Sequence, residues 1–210
     1  MNRLKITFWD RTVLSLLFLC FTLTSFCQET PNERQAKKLF FQTYHQFTNP
    51  QGCSLSYKLN IAGLYKANGT IWTKGKMQKY IEPKYVGYRD GVNYYKVDLK
   101  RKVIEIYNAN KKSKYASKFT FNEHDYDYSI ANAKGGLLIS LNLKKGASSS
   151  IKHAKVLLDK KTLYPMSVKV KVAFIWATIH ISHFHPNIHD NSIFLFKKSD
   201  YPGYTYEDKR

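Results

Sequence analysis

The sequence predicts a mainly β chain with a helix at its head, folded as an antiparallel sheet or barrel. Two observations carry that expectation. Apolar and polar residues alternate with a period of two in run after run beyond residue 52, and turn residues separate the runs with almost no helical spacing between them. A third concerns the apolar load: the 210 residues include 16 Tyr and 13 Phe, many of the tyrosines beside strand-like runs. One or two helices cannot cover that much aromatic surface, which leaves room for an apolar cavity.

The N-terminal stretch reads as a secretory signal. Arg3, Lys5 and Arg11 precede an apolar run over 13–23, and Ser25 and Cys27 supply the small residues of a cleavage point before Gln28. The run is shorter than the roughly 20 residues a spanning helix needs. Residues 1–27 are therefore expected to be a cleaved signal peptide and 28–210 a single domain exported to the periplasm. Phe26 stands where a lipid-attachment signal wants a small residue, so Cys27 is expected to be unmodified. With Cys20 and Cys27 removed, Cys53 would be the last cysteine, and no internal disulfide could form.

The elements follow in order. Thr30-Pro31-Asn32-Glu33 combines a capping pattern with proline at the first helical position. Ala36, Leu39, Phe40, Thr43 and Phe47 then recur on one helical face until Asn49-Pro50-Gln51-Gly52 stops the segment. Over 53–61, Cys53, Leu55, Tyr57, Leu59 and Ile61 alternate with polar residues, a strand with one greasy and one wet face. Further strands are expected at 70–74, 85–88, 93–97, 102–107, 118–121, 137–143, 154–158, 166–174, 177–184 and 192–196. In the 166–174 run, Met166, Val168, Val170, Val172 and Phe174 are expected to face opposite to Ser167, Lys169 and Lys171. The stretch 123–131 leaves a short helix open, and Gly146-Ala147-Ser148-Ser149-Ser150 reads as a hairpin loop.

The formal charge is +19. In a cytosolic chain that would suggest nucleic acid, but an exported protein meets little of it; anionic lipid headgroups, an acidic protein, or plain solvation of a greasy surface are the alternatives. Lysine pairs at 111–112, 144–145, 160–161 and 197–198 fall at strand ends and turns, where they discourage edge pairing.

Reactive groups do not converge. His180, His183, His185 and His189 lie close to Asp190, and His183 and His185 share a strand face, a pattern that begins a zinc or copper site but fixes no geometry. A metal-dependent enzyme using these histidines is the weaker alternative. Glu123-His124-Asp125-Tyr126-Asp127 is better read as a turn satisfying its own backbone. Phosphate-binding, nucleotide-binding and nucleophile-elbow patterns are absent from the sequence. Cys53 sits in an apolar alternation as a buried filler. The expectation is a protein with no catalytic residues, no metal and no cofactor.

Several segments, taken together, resemble the LolA-type outer-membrane lipoprotein carriers. Gly69-Thr70-Ile71-Trp72-Thr73-Lys74 is similar to that family's G-x-[LI]-W-x-K strand, and Asp90-Gly91 with Tyr94-Tyr95 to its S-D-G-K-x-x-W-x-Y turn. Lys102-Val103-Ile104-Glu105-Ile106 stands where its next strand begins. Ile179-His180-Ile181-Ser182-His183-Phe184, then Phe194-Leu195-Phe196 and the closing Tyr206-Glu207-Asp208-Lys209-Arg210, follow in the family's order. The resemblance implies an incomplete antiparallel β-barrel, a half-barrel, with a helical lid over a hydrophobic cavity. It also implies a monomer that takes lipoprotein acyl chains from an inner-membrane exporter to an outer-membrane acceptor. Gly75 stands where the best-known members have an arginine that locks the lid, and that role is not carried over. The cavity-lining residues expected are Leu55, Tyr57, Leu59, Ile61, Trp72, Leu141, Val168, Val170 and Val172. Another lipid-like ligand on the same scaffold is the alternative.

Overall fold

A computed structural model describes residues 29–110, 121–172 and 174–210. The expected leader and its cleavage point, the lysine pair at 111–112, and all of the expected 118–121 strand but Phe121 lie outside the described residues. The chain divides into residues 1–31 and a compact unit of residues 32–210, which is described from here on.

A helix, α1 (Pro31–Thr48), precedes strands β1 (Cys53–Ile61), β2 (Tyr65–Lys74), β3 (Met77–Ile81), β4 (Tyr85–Arg89), β5 (Asn93–Asp98) and β6 (Val103–Asn108). Then come β7 (Tyr126–Ala133), β8 (Gly136–Leu143), β9 (Ile151–Asp159), β10 (Pro165–Val172), β11 (Ile175–Pro186) and β12 (Thr205–Asp208). All lie in one sheet of order β12-β6-β5-β4-β3-β2-β1-β11-β10-β9-β8-β7. Neighbours are antiparallel except β12, which runs parallel to β6. Consecutive strands pair through short turns, as alternation with frequent turn residues dictates, except β6 with β7 and β11 with β12, which stand apart in the strand order, and β11 lies beside β1. The sheet does not close on itself, as in a half-barrel.

Strand alternation gives the sheet two faces, and each is covered at a different end. On the inner face, Ala36 and Leu39 of α1 pack on Tyr126, Tyr128, Ile139, Leu141, Ala154, Val156 and Leu158 of β7–β9. Asn32 fixes the start of the helix by exchanging two hydrogen bonds with the Ile130 backbone, at 2.8 and 3.0 Å. On the outer face, Val86, Tyr88, Val97 and Ile104 of β4–β6 lie under Phe196, Tyr201 and Tyr204 of the C-terminal segment. Phe196 stacks on Tyr95 at 4.4 Å and on Tyr201 at 5.7 Å. A smaller cluster of Cys53, Leu55 and Phe184, with Phe47 against it, joins the end of α1 to the middle of the sheet.

Two expectations are corrected. Residues 192–196 form no strand: Asn191–Phe194 is a 3-10 turn, because the Asp190 carboxylate accepts from both the backbone N–H and the hydroxyl of Ser192 at 2.7 Å. The strand expected over 166–174 ends at Val172, and Phe174 lies in the following turn with 84% of its surface exposed. The 123–131 stretch splits into a 3-10 turn, Glu123–Asp125, capped by Asn122, and then β7. Helical cover amounts to one α-helix among the described residues, and it is seated in the core of one sheet end.

Candidate functional site: an apolar groove on the inner face

The middle of the inner face is bare of such cover. Leu55, Tyr57 and Leu59 of β1 stand in cross-strand register with Ile71 of β2 and with Ile181 and Ile179 of β11, and Ile179 faces Val168 of β10. With Phe47 from α1 and Tyr80 from β3 they line a groove of about 480 Å³. That volume lies in the range of small-molecule sites. The groove exists because the period-two alternation aims every second residue of five adjacent strands at one side. α1 covers the neighbouring strands but reaches this region only through Phe47, whose ring meets Phe184 edge-on at 5.6 Å.

One carboxylate enters the apolar lining. Glu82, just past β3, accepts a hydrogen bond from the Tyr57 hydroxyl. Burial, and then this bond, push the Tyr57 phenol well above its ordinary range. Tyr80 is held likewise by burial and by its hydroxyl contact with Tyr94 at 2.7 Å. Both phenols therefore stay protonated at any physiological pH. Gly69 lets Tyr57 and Glu82 meet: a side chain there would collide with the Ile81 carbonyl and crowd the Tyr57 hydroxyl.

The expected lining residues separate into three sets. Leu55, Tyr57, Leu59 and Val168 line the groove. Ile61, Val170 and Val172 lie on the same face by alternation, nearer the hairpin turns, with Val170 leaning on the core beneath α1. Leu141 and Trp72 stand elsewhere, which corrects the expectation for both. Leu141 is fully buried under α1. Trp72 points to the outer face, between Ser54 and Lys79, whose ammonium lies 5.9 Å from its ring. The resemblance drew attention to Trp72, yet strand parity gives the groove to its neighbour Ile71. Ile179 and Ile181 were readable from the same parity; Phe47, Tyr80 and Glu82 depend on how distant elements meet.

Among the described residues, no group of three or more His, Cys, Asp or Glu is placed to hold a metal ion. His183 sits at an irregularity in the β1–β11 pairing with φ of 50°, which breaks the parity that would have aligned it with His185. Asp190 caps a turn. Burial pushes the Cys53 thiol up to about 11, so it stays protonated and a poor nucleophile.

No protein-family model matches the sequence, and comparison with curated proteins finds no match. Solved structures do match. An uncharacterized conserved protein from Thermus thermophilus is similar over 83% of this chain and 99% of its own, at 6% identity and a TM-score of 0.55. The lipoprotein LppX from Mycobacterium tuberculosis matches over 75% of this chain and 100% of its own, at 10% identity and a TM-score of 0.42. A LolA superfamily protein from Nitrosomonas europaea matches over 77% and 97%, at 6% identity and a TM-score of 0.36. At such identities a likeness shows fold alone, and of these three the Thermus thermophilus protein alone exceeds a TM-score of 0.5, so this chain, an open antiparallel sheet with a helix against one end of its inner face, shares the fold of that uncharacterized protein.

Proposed function

We propose that this protein is a periplasmic carrier whose inner-face groove holds the acyl chains of lipoproteins in transit from an inner-membrane exporter to an outer-membrane acceptor. The observation that carries the reading is the groove itself: about 480 Å³, walled by Leu55, Leu59, Ile71, Val168, Ile179 and Ile181, with the Tyr57 and Tyr80 hydroxyls bonded to Glu82 and Tyr94. Such a lining, apolar but for Glu82 and the two phenols, excludes water from whatever it holds. Each methylene withdrawn from water contributes about 0.8 kcal/mol, so affinity grows with chain length without polar chemistry. α1 acts as the lid: its last turn brings Phe47 to the groove, and a small shift of that end would widen or narrow the entrance. Residues 1–27 direct export, and the carrier works as a monomer without metal or cofactor.

Release needs no catalysis, only an acceptor that binds the same chains more tightly. The test is to purify the processed protein from its own periplasm and identify co-purifying molecules by mass spectrometry of an organic extract. Acylated peptides are expected. A free isoprenoid or pigment would keep the groove and replace the cargo. An empty extract, together with no displacement of a fluorescent fatty acid, would sink the reading.

A further inference from the structure

Two adjacent hairpins end in large apolar side chains that the other described residues leave exposed. The β1–β2 turn presents Leu64, 91% exposed, and the β10–β11 turn presents Phe174, 84% exposed. Tyr65 and Ile175 beside them are also exposed. Antiparallel pairing of β1 with β11 brings the two turns to the same end of the sheet, and the Ala62 N–H donates to the Trp176 carbonyl at 3.0 Å to hold them together. Single exposed apolar residues are ordinary, but a cluster at the ends of two paired hairpins is a contact surface.

The surrounding charge says what it contacts. Strands β1, β2, β10 and β11 contain Lys58, Lys66, Lys74, Lys169 and Lys171 and not one Asp or Glu. Register places Lys66, Asn60, Thr178 and Lys169 in one cross-strand row on the outer face. Lys171 is next to the turn, its ammonium 6.0 Å from the Trp176 ring. Asp98, Glu105, Glu207 and Asp208 stand in β5, β6 and β12, away from these four strands, and are paired with Lys96, Arg101, Lys209 and Arg210. Apolar tips ringed by lysine and aromatic residues match an anionic bilayer surface, where rings sit at headgroup level and ammonium groups meet phosphate.

We infer that the paired tips of the β1–β2 and β10–β11 hairpins dock the protein on anionic membranes, with Leu64 and Phe174 entering the boundary between headgroups and acyl chains. The inner face supports this placement, because the row Ile61, Ala177, Val170 continues the groove lining toward the tips. A docked protein would therefore face the bilayer with the apolar end of the groove. The inference goes beyond the carrier reading and does not require it, since docking needs no ligand in the groove.

The experiment is flotation with protein-free vesicles of phosphatidylethanolamine and phosphatidylglycerol, and with vesicles of phosphatidylcholine alone. It uses the full chain as the cell processes it, so the parent and its variants share the same N-terminus. The parent should float with the anionic vesicles and dissociate as salt is raised. Leu64→Ser with Phe174→Ser should weaken that binding by about tenfold or more. The double variant should still bind a fluorescent fatty acid in solution as the parent does, which separates docking from cargo binding. Phe174→Trp keeps an aromatic tip and should retain binding, with fluorescence quenched by brominated lipid. If the parent ignores protein-free vesicles, or the double variant floats equally well, the inference is overturned. A double variant that fails to fold leaves the quenching of Phe174→Trp to decide, and unquenched fluorescence with vesicles present overturns it too.

Discussion

Gly87 shows how much of the groove depends on single atoms. It faces Tyr80 across β3 and β4, and a methyl group on it would fall within the Tyr80 ring. The ring lies over the glycine because nothing else stands there, and from that place it walls the groove and meets Tyr94 at 2.7 Å. Gly87→Ala must push the ring off its seat. We expect a loss of about 1–3 kcal/mol in stability, typical of overpacking, and weaker binding of a fluorescent fatty acid. Denaturant melts with ligand titrations on the same samples measure both. Unchanged affinity with lowered stability would mean that Tyr80 supports the fold and not the ligand. The sequence marked Gly87 as nothing more than a residue in a short strand. Its role comes from a partner on another strand, and no local pattern names that partner.

Among elements, β1 was the most legible. Its bounds and both its faces follow from strict alternation of apolar and polar residues, and the structure places it over the same residues, 53–61. α1 was legible too, because proline at its start and the Pro50-Gln51-Gly52 stop bracket one helical stripe. β3 escaped notice since Met77-Gln78-Lys79-Tyr80-Ile81 shows no clean alternation: its residues are mostly half-buried on both faces. β12 escaped because its four residues are all exposed, so burial patterning has nothing to mark. It is a strand only because β6 offers it an edge. The register of β1 makes a direct test of the groove. Leu59→Glu puts a charge on the lined face, where the long side chain can still reach water, so a soluble β-rich protein should survive and lose acyl-chain binding. Lys58→Glu, one residue back and on the outer face, should leave that binding intact. Val170 is less suited to this test than parity alone suggests, since it leans on the core under α1 and a charge there would cost stability first. Equal binding by both β1 variants, measured by displacement of a fluorescent fatty acid, would remove the groove from the mechanism.

At the scale of the whole molecule, the lateral edge of the sheet at β12 is held by paired charges. β12 pairs with β6 alone, so it leaves an edge that main-chain bonds secure on one side only. Side chains reinforce it. Lys209, just past β12, reaches the Glu105 carboxylate on β6 at 2.6 Å, and Lys96 on β5 meets it from the other side at 3.2 Å. Glu105 is almost fully buried, and an unpaired carboxylate in such a place would be costly. The Lys209 bond, followed by the Lys96 bond, outweighs the desolvation and holds the Glu105 carboxyl down at about 2. A carboxyl whose folded value is depressed stabilises the protein above its ordinary value of 4.5, and that stability drains away as pH falls toward about 2. The expected outcome is local. Between those limits, hydrogen exchange at the Thr205 and Lys209 amides, which bond to the Lys102 and Ile106 carbonyls, should accelerate before exchange in β8 and β9 does. Glu105→Gln removes the titrating group, so it should lower stability at neutral pH and abolish this acid-dependent release. At the lowest pH, parent and variant should converge. If β12 in the parent exchanges no faster as the solution is acidified, or if Glu105→Gln keeps the same acid response, the ion pairs around Glu105 are not what holds the C-terminal strand to the sheet.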